Sequence, residues 1–242
     1  MIEGACEIEW HGVRLVLLPD RALWLPSERA VLVADVHLGK PASFRAGGVP
    51  VPEAVTGRDL ERLSASVRAT GAERLVVLGD LIHDQTALLS RTLDAVTAWR
   101  SSLGGVPVEL VPGNHDRKAR SCGPLGVIEW GDSLMLGGLC CTHEPPDDAG
   151  TTPTLCGHLH PVVSIGAAYG ATRVRSACFW FEGFTGVLPA FGSFTGGHAM
   201  PAGAGRAVFA AGDRAVVPVT KTATVWADFA GGRGAQRAYD RA

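Results

Sequence analysis

The sequence predicts an α/β fold built on a mostly parallel sheet, and three observations predict it. Three short, largely apolar runs, 30–34, 74–78 and 106–111, read as strands buried on both faces, the first of them continuous. Two stretches with apolar residues at helical spacing separate them, giving β-α-β-α-β over the first half of the chain. Each run then stops abruptly on polar residues, and ligands of open α/β sheets gather at the carboxyl ends of strands.

The elements follow in order. Residues 8–18 alternate loosely around His11-Gly12, in the manner of a hairpin, and Ala22 to Leu25 reads as a short strand after a turn at Pro19-Asp20. Run 30–34 leads into Asp35-Val36-His37-Leu38-Gly39-Lys40, and the Gly- and Pro-containing 41–52 reads as a loop. Leu60, Leu63 and Val67 mark a helix over 52–69, closed by Gly71. Run 74–78 leads into Gly79-Asp80-Leu81-Ile82-His83-Asp84, Leu89, Leu93 and Val96 mark a helix over 86–100, and run 106–111 ends at Pro112-Gly113-Asn114-His115-Asp116. The second half is β-rich. Residues 127–130 and 133–136 read as a hairpin across Gly131-Asp132. Residues 139–142 read as a strand delivering His143, and 154–156 as one delivering Gly157-His158-Leu159-His160. Strands over 173–181 and 207–217 flank a glycine-rich loop at 192–205, and 227–242, with few apolar anchors, is expected to fray. No repeat or linker divides the chain. It is read as a single domain over 1–242, with core motifs in 31–160 and second-sheet strands and loops in 161–220.

Composition narrows the function classes. A chain of 242 residues can bury a substantial core, and 46% hydrophobic with 19% charged residues fits a soluble globular protein. No apolar run reaches the roughly 18 residues of a membrane span. Met-Ile-Glu-Gly-Ala-Cys-Glu at the start has neither the basic nor the apolar region of a signal peptide, so a cytoplasmic protein with no membrane contact is expected. A net charge of −2 excludes a protein that coats nucleic acid by bulk electrostatics. The six cysteines form no Cys-x-x-Cys pair, which removes zinc-ribbon and thioredoxin chemistry and leaves buried, unligated thiols as the expectation.

The strand-end residues are Asp35, His37, Asp80, Asn114, His115, Asp116, His143, His158 and His160. Carboxylates, an amide and several imidazoles suit a pair of divalent ions, and mixed nitrogen and oxygen donors favour Mn²⁺, Fe or Zn²⁺ over Ca²⁺. One residue separates Asp35 from His37 and His158 from His160, so in extended backbone each pair points to one side. Asp80, on the strand between, is placed to bridge two ions about 3.5–4 Å apart. A lone Asp-x-His or His-x-His is commonly incidental. Five such elements in this order, each ending an apolar run, form a site.

The series Asp-x-His, Gly-Asp, Gly-Asn-His-Asp, His, Gly-His-x-His, from Asp35 to His160, resembles the calcineurin-like metallophosphoesterase superfamily. The resemblance implies a four-layer α-β-β-α sandwich. It places one metal on Asp35, His37, Asp80 and His160, and a second on Asp80, Asn114, His143 and His158. It makes His115 the catalytic histidine, a general acid toward the leaving group, and Asp116 the carboxylate that orients it. The chain departs from the common Gly-Asp-x-x-Asp-Arg pattern with Gly-Asp-Leu-Ile-His-Asp, so His83 and Asp84 are both candidates for supporting the ligands from behind.

A narrower resemblance, to the ligase-associated DNA damage response endonucleases, covers most of residues 20–200. It rests on Asp-Val-His-Leu-Gly-Lys-Pro-Ala-Ser-Phe-Arg with Gly48 to Pro52, Val-Pro-Gly-Asn-His-Asp-Arg, His143-Glu144-Pro145, Gly-His-Leu-His-Pro, Cys178-Phe179-Trp180 and Leu188 to Gly197. It implies two divalent ions, Mn²⁺ ahead of Fe or Zn²⁺, and DNA as substrate, single-stranded by expectation. It also implies functional association with a DNA ligase, a helicase and a nuclease. Lys40, Arg45 and Arg117, with Lys118 and Arg120, are the candidate phosphate contacts, a local cationic funnel on a slightly acidic chain. Trp180 and Phe191 are candidate base-stacking rings, with core packing the simpler reading. The same centre would also serve a small-molecule phosphatase or a cyclic-nucleotide phosphodiesterase. A non-catalytic scaffold of this fold should lack ligands that this chain keeps.

Overall fold

The structure is a computed structural model that describes residues 2–52, 54–84, 90–119, 122, 125–148, 150–166, 174–220 and 226–229. The parallel centre of the first sheet is β4 (Ala30–Val33), β5 (Arg74–Leu78) and β6 (Val108–Val111), paired in register and buried almost throughout. These largely apolar runs form strands here because both faces are covered, with buried Glu109 paired to Arg74. Val31, Val33, Leu75, Val77, Val108 and Leu110 pack against Leu60, Leu63 and Val67 of one helix, Ala54–Thr70, and Val96 and Trp99 of another, Ser90–Ser102. The opposite-facing Leu32, Val76 and Leu78 meet the second sheet.

The antiparallel β1 (Cys6–Trp10), β2 (Val13–Leu17) and β3 (Leu23–Leu25) extend the first sheet from β4, the first two joined by the expected hairpin at His11-Gly12. β7 (Ile128–Glu129) closes its other edge, parallel to β6. The second sheet is built from β8 (Ser133–Leu136), β9 (Leu139–Thr142), β10 (Thr154–Cys156), β11 (Pro161–Ile165), β12 (Val174–Glu182), β13 (Thr185–Val187) and β14 (His198–Ala199). β15 (Arg206–Ala211) pairs with β12, and β16 (Val216–Pro218) with β15. The α/β sandwich is as the sequence implies. Over the outer face of the second sheet, around Trp180, Val187 and Val208, the described residues place the loop side chains Leu159, Met200 and Val219 rather than a helix.

Four sequence expectations change. Part of the predicted loop 41–52 is helical: α1 spans Lys40–Ala46, with Pro41 in its first turn, where a missing N–H costs nothing. The helices 54–70 and 90–102 are therefore α2 and α3. The 127–136 hairpin does not form. β7 stays on the first sheet while β8 pairs with β9 on the second, so the Gly131-Asp132 turn carries the chain between sheets. Trp130 fixes this crossing: its amide donates to Leu110 O at 2.8 Å and its indole N–H to Glu109 Oε2 at 2.8 Å. The second sheet is also richer than expected: β11, β13 and β14 are additional strands, β14 within the loop expected at 192–205, and the strand expected over 207–217 is two, β15 and β16, paired antiparallel. β17 (Trp226–Phe229) pairs with β1, so the expected fraying fails for 227–229, and 230–242 lies outside the described residues. The predicted start of the second helix at Thr86 also lies outside them.

Five of the six cysteines are buried, and burial pushes the Cys6 thiol up to about 11 and those of Cys141 and Cys178 up to about 12. They are inert packing groups, as expected. Among the described residues no helix is long and apolar enough to cross a membrane.

Candidate metal centre

Both sheets deliver strand ends to one edge. β4, β5 and β6 are parallel in one sheet, and β9, β10 and β13 are parallel in the other. A bridge from Ala34 to Ala190 joins the sheets there, and Phe191 N–H donates to Ala34 O at 2.8 Å. The turns after residues 33, 78, 111, 142 and 156 therefore converge.

The backbone in these turns is unusual. Asp35, His37, Asp80, His158 and His160 have φ of 54°, 51°, 51°, 66° and 47°. Left-handed backbone costs a side-chain-bearing residue about 1–2 kcal/mol, and Asp and His are among the types that visit it most. The extended geometry expected for Asp35/His37 and His158/His160 is thus corrected. The peptide groups still follow the neighbouring chain, with Asp35 N–H on Gly79 O at 3.1 Å and His37 N–H on Asp80 O at 2.8 Å. It is the reversed φ at alternate residues that turns both ligands into the cleft, while Val36 between them stays in the core.

Glycines leave room for these side chains. A Cβ at Gly79 would land on the His143 ring, and one at Gly113 on the Asp80 carboxylate and 2.9 Å from His143 Nε2. At Gly157 it would lie 2.7 Å from Asp35 Oδ2.

The polar atoms form two clusters that share Asp80. In the first, His160 Nε2 lies 3.3 Å from Asp35 Oδ1 and 3.4 Å from His37 Nε2, which is 3.9 Å from Asp80 Oδ2. In the second, His143 Nε2 lies 3.1 Å from Asn114 Oδ1, 3.1 Å from His158 Nδ1 and 3.5 Å from Asp80 Oδ1. His143 Nδ1–H is committed to Leu78 O at 3.1 Å, so Nε2 presents a lone pair toward oxygens that themselves only accept. Lone pairs facing one another repel unless a cation shares them. Asp35 Oδ1 is buried with no hydrogen-bond partner, although Oδ2 takes the His158 amide at 2.9 Å. Burial, then the charges of Lys40 and the neighbouring imidazoles, pushes His37 down to about 2, so it stays a neutral donor. The residues present fit divalent cations.

The structure brings all seven expected ligands and His115 together. His115 N–H donates to Asp80 Oδ1 at 2.9 Å, and its ring sits part-exposed with Nε2 3.9 Å from Asp80 Oδ2. Its Nδ1–H is held by His83 O at 2.5 Å. The orienting role expected of Asp116 is corrected: its buried carboxylate accepts from Ile82 N–H at 3.0 Å and Gly113 N–H at 2.9 Å. It closes the start of α4 (Asn114–Lys118) and ties that helix to the turn after β5. Burial raises its pKa, and those amides oppose the rise. The His83 ring stacks on His115, centroids 5.0 Å apart at 24°, whereas Asp84 receives the Ser43 hydroxyl at 2.7 Å.

The cationic candidates separate. Lys40 is half-buried beside Asp35 and Asp80, where burial lowers its pKa and the two carboxylates oppose the fall. Arg45 turns away and donates to Val51 O at 3.2 Å, so it props the loop after α1. Arg117 pairs with exposed Asp132 at 2.7 Å, Lys118 is solvent-exposed, and Arg120 lies outside the described residues. Trp180 and Phe191 are buried core rings, as the simpler reading held.

Sequence reasoning missed two things. Exposed Glu144 brings a carboxylate close to His143 and His158, where the sequence offered it only as part of the His143-Glu144-Pro145 motif and with no role. Asp59 on α2 is buried and anchors the 190–194 loop, receiving Ser193 N–H at 3.1 Å and the Ser193 hydroxyl. A carboxylate on the core-facing side of an amphipathic helix was the signal available.

No family model matches the chain, and no curated protein matches it. Among solved structures, the nuclease MPE of Pseudomonas putida is similar at 37% identity, with a TM-score of 0.75, over 88% of this chain and 98% of that one. A second, the phosphoesterase Yfce of E. coli, is 16% identical over 81% of this chain and 98% of its own, with a TM-score of 0.42.

Proposed function

The chain belongs to the metallophosphoesterase family, and from that premise we propose that it cleaves phosphodiester bonds in DNA with two divalent ions. It is a phosphodiesterase of the nuclease type. The observation that carries the fuller reading is Asp80, whose two oxygens face separate donor clusters while His115 stands beside it. In this reading Asp35, His37, Asp80 and His160 hold one ion and Asp80, Asn114, His143 and His158 the other. Bound there, divalent ions supply Lewis acidity and lower the pKa of water. The mixed donors favour Mn²⁺, with Fe or Zn²⁺ behind it.

The protein's own residues do the rest. The His83 carbonyl fixes the His115 tautomer, so Nε2 is the nitrogen that meets the substrate. His115 is not needed as a ligand; as the imidazolium it hands its Nε2 proton to the leaving oxygen and is left as the neutral ring, with Nδ1–H still on the His83 carbonyl. Lys40 meets a phosphate oxygen, its half-buried ammonium already within the field of Asp35 and Asp80. Single-stranded DNA as the substrate, cytoplasmic action in repair and association with a ligase, a helicase and a nuclease are supported by the motif resemblance.

The test is a Mn²⁺-titrated assay on circular and linear single-stranded DNA, with bound metal measured alongside. Cutting the circle demonstrates endonuclease action. His115→Ala is expected to keep its metal and lose roughly 10²–10⁴-fold in DNA turnover. It should lose less on bis-p-nitrophenyl phosphate, whose leaving group needs no proton. Undiminished DNA cleavage by His115→Ala would refute the acid role. A wild type that hydrolyses only the small diester would refute the DNA substrate.

A further inference from the structure

We propose that Phe44 and Phe194 form a stacking subsite for a nucleobase flanking the scissile bond. This rests on the nuclease reading above and extends it from the phosphate to the base.

Phe44 is a large apolar side chain left 39% exposed on α1, in a half of the molecule where most such residues are buried. Its ring meets Phe194 edge-on, centroids 5.2 Å apart at 86°. A perpendicular pair covers only one face of one ring, so planar surface remains for a third aromatic group. Phe44 also approaches His83, centroids 6.5 Å apart at 45°, and His83 lies 5.0 Å from His115 and 5.7 Å from His37. A line of rings thus runs from the surface to the acid and to a metal-ligand candidate.

The pair is fixed from behind. Ser43 donates to Asp84 at 2.7 Å, tying the helix of Phe44 to the turn that carries His83. Ser193 is tied to buried Asp59, and Arg62 of the same helix holds Phe191 O at 2.9 Å. Gly192 N–H donates to Asp35 O at 3.1 Å, which sets the Phe194 loop against the metal site itself. Rings that were merely uncovered would not need this support.

Charge completes the match. Lys40 and Phe44 are four residues apart on α1 and so share one face of it. That face offers a cation for a phosphate and a ring for a base. With a net charge of −2 the protein cannot hold a strand by bulk electrostatics, and stacking supplies affinity that is tolerant of sequence.

The experiment compares cleavage, with Mn²⁺, of an intact single-stranded oligonucleotide and one bearing abasic residues on either side of the cleaved bond. Wild type should show a KM about 5- to 100-fold lower on the intact strand. Phe44→Ala, Phe194→Ala and Phe44→Leu should all treat the two strands alike. The leucine variant fills space without a ring face, so its loss separates stacking from packing. Variants that keep the wild-type preference for the intact strand overturn the subsite, as does a wild type with no preference. A wild type that hydrolyses bis-p-nitrophenyl phosphate but neither binds nor cuts either strand overturns the nuclease reading, and the subsite with it.

Discussion

The donors at the strand ends and the residues that flank them are held by different means. Asp35, His37, Asp80, His158 and His160 are set by left-handed backbone, and Gly79, Gly113 and Gly157 clear the space their neighbours fill. On the flank, side chains add the ties that hold α1 and the outer part of the 190–194 loop, with Ser43 on Asp84, Ser193 on Asp59 and Arg62 on the Phe191 carbonyl, beyond the backbone bonds that join Phe191 and Gly192 to the first sheet. Backbone-fixed groups can serve chemistry common to every phosphodiester. Side-chain-fixed groups can be exchanged singly, which suits them to choosing among substrates.

The largest effect should come from the residue both donor clusters share. Asp80→Ala is expected to cost at least about 100-fold in turnover on DNA and on bis-p-nitrophenyl phosphate alike, with less metal bound. A defect confined to DNA would break the division between the two regions. Gly113→Ala should come next: its new Cβ presses on Asp80 and His143, and metal affinity should fall roughly 10- to 100-fold in a direct titration. Unchanged affinity would mean that the donors tolerate displacement. Smallest is Asp116→Ala, which strands the amides of Ile82 and Gly113 and should lower stability by about 1–3 kcal/mol in urea unfolding. Its folded fraction should keep much of its turnover. Lost turnover at unchanged stability would restore to Asp116 the orienting role that its hydrogen bonds do not support.

The donors were legible in the sequence because each follows an apolar run, and a buried strand has only one way to end at a polar cleft. The means of presentation were not legible. Alternation suggested pleated side chains, but the left-handed turns at Asp35 and His37 arise from how β4 and β5 continue past their last regular pair. The same limit explains the false hairpin. Gly131-Asp132 is good turn chemistry, and what sends the flanking segments to different sheets is the grip of Trp130 on Leu110 and Glu109, a contact some twenty residues away. Asp116 was misassigned because adjacency to His115 in sequence says nothing of which way its carboxylate faces on α4. Arg45, similarly, had the right charge beside the right motif and spends it on its own loop.

The ownership of the donors has a consequence for the molecule as a whole. Asp35, His37, Asp80 and Asn114 follow strands of the first sheet, whereas His143, His158 and His160 follow strands of the second. A cation shared between those groups would act as a rivet through the sandwich, held only when both plates are in place. Free energy gained from such a ligand grows with the logarithm of its concentration, about 2.7 kcal/mol per site at a hundredfold excess over Kd. The supply of metal would then govern the lifetime of the folded enzyme as well as its speed, and starvation for metal would loosen the two sheets from each other at the edge where they now meet.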